Sequence, residues 1–149
     1  MYLPGHEGGG PIRSVSNLID RLSEDFSFRV LASIENLEEV GWAESYRRGS
    51  WMEVGPSEVR YLDRQEQSLW PMMRLLMELD FDVVYLNAFF PTPFTLPVLL
   101  LNRLGLLGDA SVVMAPRGQF YEGAFRQKRW KKRPFLALAK ALGLYDSIV

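Results

Sequence analysis

Four short apolar stretches, separated by longer amphipathic segments, constrain the fold more than any other feature of this sequence. They read FSFRVLAS, VRYL, DVVYLN and ASVVMA, each of strand length and rich in apolar residues. Strands that alternate with helices predict a parallel sheet with helices on both faces. We therefore expect an α/β fold with strands near Phe28–Ala32, Val59–Leu62, Val83–Leu86 and Val112–Ala115.

The segments between these stretches have helical spacing. Pro11 suits the first position of a helix whose apolar face holds Ile12, Val15, Leu18, Ile19 and Leu22. Ser68 can cap a second helix, with Leu69, Met72, Leu76 and Leu79 on its buried face, and a third runs from Leu96 to Leu104 before Gly105. A long acidic connection between residues 34 and 58 has no convincing period, and the final DSIV is typical of a strand beginning.

Length and composition narrow the class of protein. The 149 residues suffice for one domain, and 48% hydrophobic with 23% charged residues is typical of a globular chain. No cysteine and a single histidine, His6, leave no thiolate or histidine-rich metal site, so no metal is expected. No apolar run approaches the roughly 20 residues that span a bilayer, and the first residues do not resemble a signal peptide. We interpret the chain as cytoplasmic.

The charge is divided along the chain. Up to Pro116 there are 9 Lys/Arg against 16 Asp/Glu, whereas residues 117 to 140 hold 8 Lys/Arg against the single acid Glu122. Residues 126–133, here called the basic segment, read RQKRWKKR and include Trp130. Its six cations are Arg126, Lys128, Arg129, Lys131, Lys132 and Arg133.

The basic segment precedes an apolar run, PFLALAKALGL. This combination is typical of a helix lying on an anionic membrane surface, which makes a peripheral position on the inner face of the membrane our prediction. A nucleic-acid site and an ordinary solvated helix face are the alternatives. The acidic remainder of the chain, without any nucleic-acid-binding motif, argues against nucleic acid as the partner.

Parallel α/β sheets bind ligands beyond the carboxyl ends of their strands, and three loops lie there. They are Gly8–Gly10, Asn87–Pro93 and Pro116–Gly123. The glycines allow close approach of an anion to backbone N–H groups at a helix N-terminus. The pattern is neither a dinucleotide fingerprint, because Arg13 replaces the third glycine, nor a P-loop.

Side chains near these loops are candidate ligand contacts. Arg13 can reach a phosphate or carboxylate, and Asn87 can bond a ligand hydroxyl or cap its own loop. Arg117 directly follows an apolar strand, a position typical of an anion contact, with a structural ion pair as the alternative.

Four stretches together resemble the N-terminal domain of family-4 glycosyltransferases, retaining enzymes of the GT-B fold with two facing Rossmann-like domains. They are PGHEGGGPIRSVSNL, VVYLNAFF, APRGQFYEGAF and KRWKKRPFLALAKALGLY. The resemblance implies a Rossmann-like three-layer α/β/α domain over residues 1–149 and a nucleotide-sugar donor as substrate, without a cofactor. It also implies polysaccharide or glycolipid assembly.

The same resemblance implies roles for the candidate residues. Gly8, Gly9 and Gly10 would face donor phosphates or the acceptor, while Arg13, Asn87, Arg117 and Gly118 would line the acceptor side. Gln119 stands where family members often have glutamate, so a carboxylate role at that position is not expected. The family's first strand precedes the glycine loop, and its donor-binding domain follows the stretch matched here. The chain is thus expected to be a fragment that is inactive alone.

Overall fold

The computed structural model describes residues 9–34, 48–90, 92–116, 135–137, 139–146 and 148. The chain divides into two compact units, Met1–Gln67 and Ser68–Val149. The described residues form helices and two small sheets that contain parallel strands, which confirms the predicted α/β class. The assignment of residues 1–149 to a single domain stays a prediction.

The first unit contains one helix and a three-stranded sheet. Helix α1 (Gly9–Leu22) leads into β1 (Phe28–Ser33), followed by β2 (Met52–Val54) and β3 (Ser57–Leu62). The strand order is β1-β3-β2. Strands β1 and β3 are parallel, with Phe28 opposite Ser57 and Ser33 opposite Leu62, and β2 runs antiparallel to β3. The carboxyl ends of β1 and β3 therefore lie side by side.

Strand β2 was not predicted. It falls in the acidic connection and forms a hairpin with β3, with Val54 opposite Ser57. The two loop residues are Gly55, at a φ of +58°, and Pro56. A glycine with positive φ at the first loop position is the pattern of type II′ hairpins, whose twist matches that of the strands. The signal available in the sequence was therefore the Gly-Pro pair between the two short alternating stretches.

Helix α1 packs on the sheet of the first unit through the face that its spacing predicts. Val15 and Ile19 are buried in one cluster with Ala32, Val59 and Tyr61. Because these residues come from the helix and from both parallel strands, the cluster fixes α1 against the sheet. Removing apolar surface of this kind from water stabilises the fold by about 25 cal/mol per Å². Leu22, at the end of the predicted apolar face, is exposed.

The second unit alternates helices and parallel strands. Helix α2 (Leu69–Glu78) is followed by β4 (Val83–Leu86), α3 (Thr95–Arg103) and β5 (Ser111–Met114). Strands β4 and β5 are parallel, with Val83 opposite Ser111 and Leu86 opposite Met114. Ile148 forms an isolated parallel bridge to Val112, which agrees with the interpretation of DSIV as the start of a strand.

The helices of the second unit supply most of its buried residues. Ser68 takes the N-cap position of α2 as predicted, although its side chain makes no capping hydrogen bond. The buried side chains of α2 and α3 are mainly aliphatic, and Leu99 and Leu101 are fully enclosed. Gly105 has a φ of +67°, which confirms it as the residue that ends α3. Leu104, predicted inside that helix, is its C-cap and is exposed.

The four predicted strands are confirmed to within two residues at each end. Among the described residues, β1 and β4 each have a ladder partner on one side only. Such edges present unpaired backbone N–H and C=O groups. Within the described ranges, no helix is long and apolar enough to cross a membrane.

Candidate functional site

The first predicted loop lies at the beginning of α1. Gly9 and Gly10 are the first two residues of this helix, whereas Gly8 lies outside the described residues. Arg13 is exposed one turn further along. The positive end of the α1 dipole therefore coincides with the glycines, as an anion contact requires. This first group belongs to the first unit.

The second and third predicted loops follow β4 and β5 in the second unit. Asn87 comes directly after β4, and its side chain is exposed. The ladder continues one step further, because the Ala115 N–H donates to the Leu86 carbonyl at 2.8 Å. Asn87 and Pro116 thus leave adjacent strands at the same edge of the sheet. Arg117, Gly118 and the whole basic segment lie outside the described residues, so their roles stay predictions.

The segment after β4, residues 87–90 and 92–94 and here called the β4 loop, is held at its far end by two threonines. The Thr95 N–H donates to Thr92 Oγ1 at 3.1 Å, and the two hydroxyls are 3.0 Å apart. Thr95 Oγ1 also donates to the Ala88 carbonyl at 3.3 Å. Thr95 is only 1% exposed, so water has little access to its side of these bonds. They attach α3 to the residue that follows Asn87.

An aromatic group holds the β4 loop at a second point. The ring of Tyr145 stacks on that of Phe89, with centroids 4.5 Å apart and planes 7° from parallel. The Tyr145 hydroxyl donates to the Phe89 carbonyl at 2.6 Å. Phe90 meets Phe89 edge to face, and Phe135 meets Tyr145 in the same way. Burial raises the pKa of Tyr145 to about 12, so its hydroxyl remains a donor throughout the physiological range.

Sequence reasoning missed a polar network at the carboxyl ends of β1 and β3. Arg60 Nη2 lies 3.0 Å from Glu66 Oε1, and Glu66 Oε2 accepts the Asp63 N–H at 3.2 Å. Asp63 Oδ1 accepts two backbone N–H groups at 2.8 Å, and Arg48 pairs with its other oxygen at 3.3 Å. The Gln67 amide spans the two strands, donating to Ser33 Oγ and to the Leu62 carbonyl.

This network fixes the turn after β3. Its carboxylates accept hydrogen bonds from backbone N–H and guanidinium groups. The polar stretch DRQEQ, which directly follows an apolar strand, was the feature of the sequence that could have indicated the network. Arg60 Nε is buried without a hydrogen-bond partner among the described residues. Since Arg60 is already paired with Glu66 through Nη2, we interpret the network as structural. Among the described residues there is no group of three or more His, Cys, Asp and Glu that could hold a metal ion.

One shallow depression in the first unit lies at the other end of the strands. Its lining includes Phe26, Phe28, Glu53, Pro56 and Ser57, and its volume is about 280 Å³. Phe28 and Ser57 are the first residues of β1 and β3, so the depression borders their amino ends. Ligands of parallel α/β sheets bind at the carboxyl ends. The depression is therefore a poor candidate for the predicted site.

No protein-family model, curated protein or solved structure matches this chain. The function must therefore be argued from the residues themselves. The candidate site of the second unit is the edge where β4 and β5 end, with Asn87 exposed and the β4 loop held by Thr95 and Tyr145. The candidate site of the first unit is the beginning of α1, with Arg13 exposed beside it.

Proposed function

We propose that this chain is the acceptor-side half of a retaining, nucleotide-sugar-dependent glycosyltransferase of the GT-B class, with a Rossmann-like three-layer architecture. In this proposal the whole enzyme transfers a hexose in cell-surface polysaccharide or glycolipid assembly at the cytoplasmic side of a membrane. The observation that carries the proposal is the exposed Asn87 at the end of β4, beside the end of β5. The resemblance of the sequence to family-4 enzymes supports it further.

The chemistry of the candidate residues fits recognition of a sugar acceptor. The carboxamide of Asn87 has two donors and an acceptor, which suit the vicinal hydroxyls of a sugar. The two residues that follow Asn87 are restrained, because the carbonyls of Ala88 and Phe89 both accept hydrogen bonds from side chains. A preorganised loop loses less conformational entropy on binding. In the proposal Arg117 and Gly118, which directly follow Pro116, complete the same edge.

The beginning of α1 suits an anion. Gly9 and Gly10 supply backbone N–H groups at the positive end of the helix dipole, and the guanidinium of Arg13 adds a full charge. We propose that they contact the diphosphate of the donor or an anionic acceptor, together with Gly8. No residue is assigned as the catalytic acid or base.

Sugar binding is tested with the full chain, labelled with ¹⁵N and titrated with alkyl glucosides. We expect the amide signals of Asn87, Ala88 and Ala115 to shift, and Asn87→Ala to weaken binding by about five- to tenfold, the effect of one lost hydrogen bond. Asn17→Ala is the matched control, because Asn17 is an exposed asparagine of the first unit. Unchanged signals at the end of β4, or an equal effect of Asn17→Ala, would contradict the proposed acceptor site.

The anion site is tested with UDP-glucose and with inorganic pyrophosphate. Arg13→Gln should weaken the binding of both, whereas Arg21→Gln should not, since Arg21 is exposed on the same helix but lies in its last turn. Binding that is unchanged by Arg13→Gln would remove this residue from the proposal.

The membrane part of the proposal depends on the basic segment. Each cation near an anionic surface contributes about 1 kcal/mol, so four of them give about 4 kcal/mol, a roughly 10³-fold gain in binding. A quadruple glutamine variant should therefore no longer cosediment with anionic vesicles at low salt. Its substitutions are Lys128→Gln, Arg129→Gln, Lys131→Gln and Lys132→Gln.

A control variant removes the same formal charge from exposed positions elsewhere. Its substitutions are Arg21→Gln, Arg29→Gln, Arg64→Gln and Arg74→Gln. This control should bind vesicles like the wild type. If the wild type does not bind vesicles but binds single- or double-stranded nucleic acid through the basic segment, this result favours the second candidate function, which is a non-catalytic binding module. If it binds neither, the segment is a solvated surface.

A further inference from the structure

Tyr145 makes two different interactions with one residue of the β4 loop. Its ring stacks on the ring of Phe89, and its hydroxyl donates to the carbonyl of the same residue. The two residues are 56 positions apart in the chain. A stacked ring restrains where the Phe89 side chain lies, and the hydrogen bond restrains the orientation of its peptide group. Together they restrain both the side chain and the backbone at this point of the loop.

The segment that carries Tyr145 is itself anchored to the second unit. Ala139 and Leu144 are buried, and the Leu142 carbonyl accepts a hydrogen bond from Arg103 Nε at 2.8 Å. Phe135 packs edge to face on Tyr145 from the same segment. The segment of Tyr145 is thus attached to the unit by its own contacts, and the stacked pair joins two parts of the unit that are distant in sequence.

The two attachments of the β4 loop come from residues at different distances along the chain. Thr95 holds the Ala88 carbonyl from α3, which directly follows the loop. Tyr145 holds the neighbouring Phe89 carbonyl from the end of the chain. Asn87 precedes both carbonyls and is exposed. The conformation of the backbone at Asn87 therefore depends on a local attachment and on a distant one.

We infer that Tyr145 is a positioning residue, which sets the conformation of the β4 loop and thereby presents Asn87. The role of Asn87 in sugar binding rests on the proposed function, but the positioning of the loop does not. Loss of the Tyr145 hydroxyl loosens residues 88–90 selectively, while the interior of the second unit keeps its protection. Loss of the ring loosens the loop further.

The test is amide hydrogen exchange on the full chain, measured residue by residue by NMR. Tyr145→Phe keeps the ring and removes the hydrogen bond, and we expect exchange in residues 88–90 to accelerate by about three- to tenfold. Amides of Leu99 and Val112 in the interior should change less than twofold. The side-chain amide signals of Asn87 should also shift. Tyr145→Leu should give larger changes in the same direction.

Tyr61→Phe is the matched control, because it removes a hydroxyl from a buried tyrosine of the first unit. It should leave the exchange of the β4 loop unchanged. Two results would overturn the inference. One is unaltered exchange of the loop in both Tyr145 variants. The other is equal acceleration at Leu99, Val112 and the loop, which would make Tyr145 an ordinary core residue.

This experiment uses no ligand, so its outcome is separate from that of the alkyl glucoside titration. If exchange in the β4 loop accelerates in Tyr145→Phe but the protein binds no alkyl glucoside, the proposed function is refuted and the positioning role stands. If alkyl glucosides bind at Asn87 but neither Tyr145 variant changes exchange in the β4 loop, the proposed function stands and the positioning role is refuted.

Discussion

Two ion pairs of the first unit have the same donor–acceptor distance but differ in burial. They therefore test how much burial changes the effect of an ion pair on stability. Arg60 and Glu66 are joined at 3.0 Å, with side chains 19% and 11% exposed. Arg29 and Glu58 are also joined at 3.0 Å, but their side chains are 51% and 49% exposed. Both pairs include a residue of β3. We predict that Glu66→Ala destabilises the first unit far more than Glu58→Ala.

The expected magnitudes follow from solvation. Removing one partner of a buried pair leaves an uncompensated charge and costs about 3–5 kcal/mol, and the partial exposure of Arg60 places this pair near the lower end. Glu66→Ala also leaves the Asp63 N–H without its acceptor. Exposed pairs contribute roughly 0.2–1 kcal/mol. The expected costs are therefore about 3 kcal/mol for Glu66→Ala and under about 1 kcal/mol for Glu58→Ala.

The assay is amide exchange of Val59 and Tyr61 in β3, of which Val59 is paired with both β1 and β2 and Tyr61 with β1. A cost of about 3 kcal/mol accelerates exchange through unfolding by roughly two orders of magnitude, and one of 1 kcal/mol by about fivefold. Equal acceleration in the two variants would refute the reasoning. In addition, a double variant with Arg60→Met and Glu66→Leu should recover most of the lost stability, because no charge is then left buried.

Three further predictions concern the second unit. Leu99→Ala should lower the free energy of unfolding in urea by about 2–5 kcal/mol, because Leu99 is fully buried. Leu104→Ala, at an exposed position, should lower it by under about 1 kcal/mol. Equal costs would contradict this assignment of the core. The pKa of Tyr145 is raised from 10.0 to about 12, so its contribution to stability is complete below pH 10 and is lost as the pH rises to 12. The melting temperature of Tyr145→Phe should therefore decline less than that of the wild type between about pH 10 and pH 12. An equal decline in both proteins would count against the burial of the Tyr145 side chain. Val83→Lys changes an exposed position of β4, which has a ladder partner on one side only among the described residues. It should reduce aggregation measured by light scattering without altering the circular dichroism spectrum. An unchanged aggregation rate would mean that this edge is not the site of association.

Elements with a clear residue period were predictable from the sequence, and elements that depend on a particular turn or on distant pairing were not. The strand in DVVYLN and the apolar face of α1 follow from residue spacing alone. Both elements were found, but only Leu86 of the strand is buried, and Leu22 at the end of the α1 face is exposed. Strand β2 has only three residues, so its existence depends on the Gly55 turn and on its pairing with β3. Short strands of this kind carry too few residues to show a period.

The candidate sites show the same division. Asn87 was identified because it follows an apolar stretch of strand length, which is a local signal. The attachment of its loop to Tyr145 joins residues 56 positions apart, and no spacing rule connects them. The pairing of Arg60 with Glu66 spans a turn whose conformation the sequence did not specify. Carboxylates and guanidinium groups in the stretch after β3 could equally have been solvated, so only the folded turn shows that they meet.

The division of the chain at Gln67 has a consequence for synthesis on the ribosome. The parallel ladder between β1 and β3 joins segments 29 residues apart, and all of its strands are complete by Leu62. At about 5–20 residues per second, translation of residues 68–149 takes roughly 4–16 s. Small α/β domains typically fold faster than this. The first sheet can thus form in the nascent chain while the second unit is still being translated.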